Sequence, residues 1–261
     1  WATQQKLSAT GAMMLKPVDQ ENSVTLNSVD HAWYWHWQNP SRHTAIADMG
    51  HSATKLWWPL QPDRPVWQLT IAEQESQTFA KLLEQLQPSA PLYCGAVNQP
   101  ALVSLQKSLN HHRPDVPLVV IAKRTTLLVA GQYSWDKLGL DRLAGMEAAL
   151  QQTRGDSLKV ARPLLVVSCG TATTIDVVAK DRCHAGGYIL PGVSLGRKAL
   201  AQQTTLPAVA TGDCPSPNSN ALPQATAAAI FEGCLASAVG AVSWIAERAR
   251  RSWGEPPHVI L

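Results

Sequence analysis

Residues 46–58 read IADMGHSATKLWW. An apolar strand runs into an aspartate, a glycine, small hydroxyl residues and a lysine, and then turns apolar again. Two readings fit. One is a β-hairpin with an ordinary polar turn. The other is a phosphate loop, in which Gly50, lacking a Cβ, lets the backbone come close to an anion and successive N–H groups form an anion-binding concavity. In that reading Ser52 and Thr54 add hydroxyl donors and Lys55 a positive charge. Asp48 at the strand end holds Mg²⁺ through water, because Mg²⁺ gives up its waters reluctantly.

A second stretch, VVSCGTATTIDVV (166–178), repeats the pattern. Aligning the two sets Asp48 against Ser168, Gly50 against Gly170 and Ser52 against Ala172. The surroundings repeat as well. Strand patterns at 44–48, 53–58 and 66–71 lead into an amphipathic helix from Glu73 to Leu86, a strand at 91–97, a helix at 99–111 and a strand at 116–122. After Tyr133 the plan restarts, with a helix from Asp141 to Thr153 and strands at 163–169, 173–179 and 184–190. A helix from Leu195, a loop at 214–223 and an alanine-rich helix from Gln224 to Arg250 follow. Short apolar runs alternating with helices predict an α/β sheet with covered faces. The expected organisation is an extension over 1–43, weakly structured and holding the aromatic cluster WYWHW (33–37), then two similar halves, 44–133 and 134–261. Two such hairpins, one per half, are able to hold a polyphosphate between them across a cleft. The closing HVIL (258–261) reads as the beginning of a buried strand cut short, so the second half is expected to be truncated there.

Three further places carry candidate chemistry. In GLDRLAGMEAAL (139–150) Leu143, Met146 and Leu150 share one helical face, so a helix starts near Asp141, a favoured N-cap residue. Arg142 in the first turn opposes the helix dipole, and a local preference set aside in this way marks a functional site. With Gly139 giving close approach, Asp141 is placed to accept a proton from a substrate hydroxyl and Arg142 to hold a carboxylate. In SCGTATTID (168–176) Gly170 and Thr171 fit a second phosphate turn, whereas Asp176 is expected to be solvated on the outer face of its strand and receives no role. Thr226, ahead of AAAIFEGCL, either caps its helix or contacts an anion.

The 261 residues are 45% hydrophobic and 16% charged with a net charge of +3, which fits a globular protein and argues against a nucleic-acid partner. The five cysteines form no CxxC pair and are odd in number, which suits reduced thiols in a cytoplasmic protein. No apolar run is read as approaching the roughly 20 residues that span a bilayer, so no membrane is expected. His111 and His112, the one adjacent histidine pair, lack HExxH spacing and suit a helix C-terminus.

Together these residues resemble the type III pantothenate kinases, a family related to the Bvg accessory factor proteins. The family's pattern of aspartate, any residue, glycine, asparagine, hydroxyl, two residues and a basic residue is similar to Asp48-Met49-Gly50-His51-Ser52-Ala53-Thr54-Lys55. Gly139-Leu140-Asp141-Arg142 matches its glycine, any residue, Asp-Arg pattern, with Tyr133 as the upstream tyrosine. Gly170–Asp176, Gly187–Gly192 and Thr205–Pro207 follow in the family's order. The resemblance covers 44–261. It implies an α/β fold of the duplicated ribonuclease H-like kind, the actin-like ATPase and acetate and sugar kinase superfold. It also implies ATP-dependent phosphorylation of pantothenate to 4'-phosphopantothenate, the first step of coenzyme A biosynthesis. By the same resemblance the cofactors are ATP, Mg²⁺ and a monovalent cation, K⁺ or NH₄⁺, and the assembly is a homodimer. Asp141 would be the catalytic base, and Tyr133, Gly139, Leu140, Asp141, Arg142 and Thr226 would bind pantothenate. Asp48 to Lys55 and Thr171 would bind ATP.

Two departures stand out. His51 replaces the family's asparagine, which makes ATP affinity sensitive to pH. Ser168 replaces the aspartate that ligates the monovalent cation, which weakens the metal site and the cation dependence. These departures are what a second reading would build on, a non-catalytic relative that binds nucleotide or a regulatory partner.

Overall fold

A computed structural model describes residues 42–50, 53–61, 63, 66–70, 77–96, 98–121, 127–129, 131–153, 160–209 and 222–261. The aromatic cluster at 33–37, His51, Ser52, the expected helix start at 73–76 and the loop up to 221 lie outside the described residues, as does nearly all of the expected extension. The chain divides into two compact units, 1–127 with 138–151, and 128–137 with 152–261.

The first unit is built on a five-stranded sheet of order β3-β2-β1-β4-β5. Its strands are β1 (Ala45–Met49), β2 (Ala53–Trp57), β3 (Trp67–Thr70), β4 (Leu92–Ala96) and β5 (Leu118–Val120). β1, β2 and β3 form an antiparallel meander, while β4 pairs parallel with β1 and β5 parallel with β4. β1 is the central strand and is buried along most of its length, as its continuous apolar character requires. Helices α1 (Gln77–Leu83) and α2 (Gln99–His112) supply the parallel crossovers. Asn98 caps α2, its side-chain oxygen accepting from the Ala101 N–H at 3.1 Å, and the histidine pair closes the last turn. Phe79, Leu83, Leu92, Leu102, Leu105 and Leu109 join Met49, Leu56 and Trp58 in one core.

The second unit carries a four-stranded sheet of order β8-β7-β6-β9. Here β6 (Leu164–Cys169), β7 (Ala172–Val178) and β8 (His184–Pro191) form the meander, and β9 (His258–Ile260) pairs parallel with β6. The sequence of pairings β3-β2-β1-β4 is thus repeated as β8-β7-β6-β9, the same meander followed by the same parallel neighbour. Two helices, α4 (Val193–Gln203) and α5 (Thr226–Trp253), belong to this unit. Ile245 of α5 packs with Leu165, Val167, Ile175 and Val177 of the sheet. Gly254 ends α5 in the left-handed conformation, its N–H donating to the Arg250 carbonyl at 2.8 Å.

Four expectations need correction. The helix from 141, α3 (Leu140–Thr153), packs almost entirely with the first unit, not the second. Leu140 reaches towards Gly95 on β4, and Glu147 accepts the Leu127 N–H with both carboxylate oxygens, at 3.1 and 3.2 Å. Asp176 is buried, at 2% exposed, because β7 lies between two strands and is covered on both faces from Ile175 to Val178. β9 is an edge strand with His258 and Val259 exposed, not a buried one. Finally, α5 is long and apolar enough to cross a membrane by length and composition, with an 18-residue window of mean hydropathy 1.6. Its alanines and glycines are broken by isolated polar residues such as Glu232, Ser237 and Ser243, so the sequence shows no unbroken apolar run there.

Candidate active site

The first hairpin forms as the sequence suggests. Asp48 pairs directly with Lys55 across β1 and β2, and Met49 with Thr54. Gly50 donates its N–H to the Ala53 carbonyl at 3.0 Å and closes the turn. A Cβ on Gly50 would lie 3.3 Å from that oxygen, so the tight turn favours glycine. Met49 and Thr54 are buried, which leaves only their backbone for a ligand, whereas Lys55 is exposed.

Asp48 is partly buried, and its carboxyl lies above the ordinary carboxylate range. Burial is the main cause; Lys55 opposes it and the charge of Asp141 adds to it. Asp48 and Asp141 are therefore close enough to interact, one from the end of β1 and the other from the first turn of α3. Burial also pushes the thiol of Cys94, on the adjacent β4, up to about 12, with a further contribution from Asp48. Burial thus penalises the charged forms of both Asp48 and Cys94 at this end of the sheet.

Asp141 is exposed, and it is the second residue of α3 rather than its cap. Its Oδ1 accepts the Arg142 N–H at 2.9 Å. A Cβ at Gly139 would lie 2.4 Å from that same oxygen, so Gly139 is the residue that leaves the carboxylate room. Arg142 is buried, at 6% exposed, instead of being presented to solvent. Leu140 is buried too and belongs to the packing of α3.

The second hairpin lies in the second unit. Gly170 donates to the Ala172 carbonyl at 3.0 Å, the counterpart of the Gly50 bond to Ala53. The structure thus sets Ala172 against Ala53, not Ser52. Met49 pairs with Thr54 but Cys169 with Thr173, so the first turn (50–53) is one residue longer than the second (170–172). Ser168 and Thr171 are exposed. The Gly192 N–H donates to the Thr171 carbonyl at 3.0 Å, and a Cβ on Gly192 would fall 2.1 Å from the Gly170 oxygen. Gly192 is also the N-cap of α4 and makes no side-chain cap bond. The start of α4 is therefore pressed against the Gly170-Thr171 turn, where the first N–H groups of the helix are donors of the kind that suit an anion. The sequence signal for this is Pro191-Gly192, which ends β8 directly ahead of α4.

Tyr133 is half-buried, its ring 5.4 Å from that of His184. Thr226 opens α5 but does not cap it; Ala225 does, without a side-chain bond. With Leu200, Leu206, Ile230 and Cys234 it lines a concavity of about 480 Å³ between α4 and α5.

Among the described residues no group of three or more His, Cys, Asp or Glu is arranged to hold a metal. Asp48 nevertheless fits a water-mediated Mg²⁺, since such an ion needs only one or two carboxylates plus substrate phosphates. Ser168, a neutral hydroxyl, fits a monovalent cation poorly.

Comparison with known proteins points one way. The profile of the type III pantothenate kinase family matches residues 46–248. A type III pantothenate kinase of Herminiimonas arsenicoxydans is 43% identical over 107 residues, covering 41% of this chain and 38% of the relative. The enzyme of that name from Rhodospirillum rubrum is 36% identical over 126 residues (48% and 45%), and that from Leptothrix cholodnii 33% over 137 residues (51% and 50%). The aligned stretches thus span half or less of the length of these relatives. The family profile, in contrast, runs through both hairpins and the Asp141 turn, and this chain belongs to the type III pantothenate kinase family.

Proposed function

We propose that the protein transfers the γ-phosphoryl group of ATP to the hydroxyl of pantothenate, giving 4'-phosphopantothenate and ADP. The observation that carries this reading is the type III pantothenate kinase profile running through both hairpins and the Asp141 turn, with Asp48 near enough to feel the charge of Asp141. Asp48 is suited to Mg·ATP beside a glycine turn, Asp141 to a substrate hydroxyl at an exposed helix start. In the reaction the hydroxyl oxygen attacks the γ-phosphorus, the bond to the β-γ bridging oxygen breaks, and the proton passes to the Asp141 carboxylate. Bound Mg²⁺ would supply charge neutralisation on the phosphates, with Asp48 as its water-mediated anchor.

The remaining assignments follow the family pattern. Met49 to Lys55 would bind ATP through backbone and hydroxyl groups, with Thr171 contributing from the second turn. Tyr133, Gly139, Leu140, Arg142 and Thr226 would bind pantothenate. The repeated strand order supports a duplicated ribonuclease H-like fold in which each meander presents a phosphate turn. The packing of α3 favours a division near residue 151 over one at 133. The exposed apolar residues of α5, Leu235, Val239 and Trp244, support a homodimer over a membrane span, since the same helix already covers the sheet through Ile245. The four free cysteines among the described residues fit a reducing cytoplasm.

The test is ADP release from Mg·ATP on addition of pantothenate, with and without K⁺, for the wild type and for Asp141→Asn. Pantothenate-dependent release that collapses in the variant supports the kinase. Nucleotide binding without release identifies a non-catalytic relative.

A further inference from the structure

Away from the glycine turns, the described residues of the second unit include a buried polar pair that the proposed reaction does not use. His184 and Asp176 are both 2% exposed, and the imidazole Nε2 lies 2.9 Å from Asp176 Oδ1. A carboxylate oxygen accepts, so Nε2 is the donor. His184 reaches this position through an irregularity. β7 and β8 pair in register from Ala172 with Pro191 to Val177 with Gly186, then shift so that Val178 meets His184. Gly186 sits at the shift with φ +127°, a conformation that side chains disfavour. Such bulges re-aim a side chain, and here the histidine arrives inside, beside the one aspartate of β7.

The other face of His184 carries the segment 128–137. Val129 bridges Cys183, donating to the Arg182 carbonyl at 2.9 Å and accepting the His184 N–H at 3.2 Å. Gly131 passes so close that a Cβ would fall 1.9 Å from the His184 carbonyl oxygen. Two residues on, the Tyr133 ring meets the imidazole at 5.4 Å and 52°. Backbone bonds, a glycine approach and a ring contact thus converge on a single residue, and that residue is fixed in turn by Asp176.

We propose that Asp176 and His184 are positioning residues for Tyr133, and through it for the pantothenate-binding end of the site. This rests on the reading that Tyr133 touches the substrate. A hydrogen-bonded imidazole cannot rotate freely, so the tyrosine ring packs on a fixed platform and its hydroxyl is delivered to one place. Neither residue touches a reacting atom.

The experiment compares the wild type with His184→Gln, Asp176→Asn, Tyr133→Ala and the double variant His184→Gln/Tyr133→Ala. Steady-state kinetics on both substrates are paired with hydrogen exchange of the 128–137 peptide. His184→Gln is expected to raise KM for pantothenate about tenfold, the size of one lost hydrogen-bonded contact, with KM for ATP little changed. In the Tyr133→Ala background the same change should add nothing. The near-isosteric Asp176→Asn, whose side-chain oxygen can still accept from Nε2, should keep most of the wild-type KM and serves as the folded comparison if His184→Gln folds poorly. Exchange in 128–137 should quicken in His184→Gln while β6 and β7 stay protected. A rise in both KM values together, an additive effect on Tyr133→Ala, or unchanged exchange in 128–137 would overturn the proposal. If the wild type does not phosphorylate pantothenate, the functional reading fails on that control, and the exchange result still decides whether the pair holds the Tyr133 segment.

Discussion

Asp48 and Lys55 face each other directly across the first hairpin, yet the Asp48 carboxyl stays above its ordinary value of 3.8, because burial and the charge of Asp141 outweigh the lysine. The sign of the consequence follows from linkage. A folded-state pKa above the unfolded one favours the protonated group in the native state. That stabilisation is fully present below about pH 3.8 and is lost as pH rises through the folded value. Asp48→Asn is therefore expected to unfold at a higher temperature than the wild type near neutral pH, with the gap closing in acid, while ATP affinity falls. Thermal melts across pH, paired with nucleotide titration, check both parts. A neutral-pH melt lower than wild type would count against the account.

Asp141→Asn should lower kcat by roughly 10²–10⁴ with little change in melting temperature, since the residue is exposed and packs against little. Phosphoryl transfer has a loose transition state, so orientation of the hydroxyl carries part of the acceleration even without the base. Single-turnover rates at saturating substrates make the measurement.

Gly192→Ala should be damaging out of proportion to one methyl group. The added carbon would meet the Gly170 and Thr171 carbonyl oxygens at 2.1 and 2.7 Å, both main-chain atoms that cannot swing aside. A loss of about 1–3 kcal/mol is expected from overpacking of this kind, together with a raised KM for ATP. Denaturant melts and initial rates separate the two effects. Gly240→Ala, on α5 with open space around an added Cβ, is the control and should leave KM for ATP unchanged while holding or raising stability.

Ser168→Asp should convert a shallow potassium dependence into a steep one. The wild-type position offers an exposed hydroxyl with no charge of its own, and a carboxylate is the stronger ligand for a hard cation. Activity titrated against KCl at constant ionic strength gives the result. A steep wild-type curve would show that another group serves the cation.

The proposed homodimer should shift towards monomer in Val239→Lys at unchanged melting temperature of the isolated chain, because Val239 is 57% exposed on α5 and stands outside the core formed by Ile245 and the sheet. Sedimentation velocity over a concentration series reports it.

The strands were legible because each is a short apolar run closed by glycine, proline or a charge, and β1, β4, β6 and β7 fall within a residue or two of the pattern. The two glycine turns were legible for the same reason, since glycine after a buried strand announces a tight reversal. The assignment of α3 was not, because apolar spacing shows which face of a helix is buried but not which sheet it meets. Asp176 was misread because alternation along β7 gives its own strand no partner for a charge. The partner comes from β8 through a bulge. His184-Ala185-Gly186-Gly187 carried the available signal, two glycines inside a strand next to a histidine.

The packing of α3 also sets an order of events during synthesis. Leu143, Met146 and Leu150 are at most 1% exposed in the first unit, yet the chain must first lay down 128–137, which belongs to the second. A nascent chain halted at residue 127 has five strands and no α3 to cover them. The ribosome must therefore release residues beyond 151 before the first unit can close. A pause placed before that point would leave an apolar sheet waiting, and chaperone capture of stalled chains should peak there.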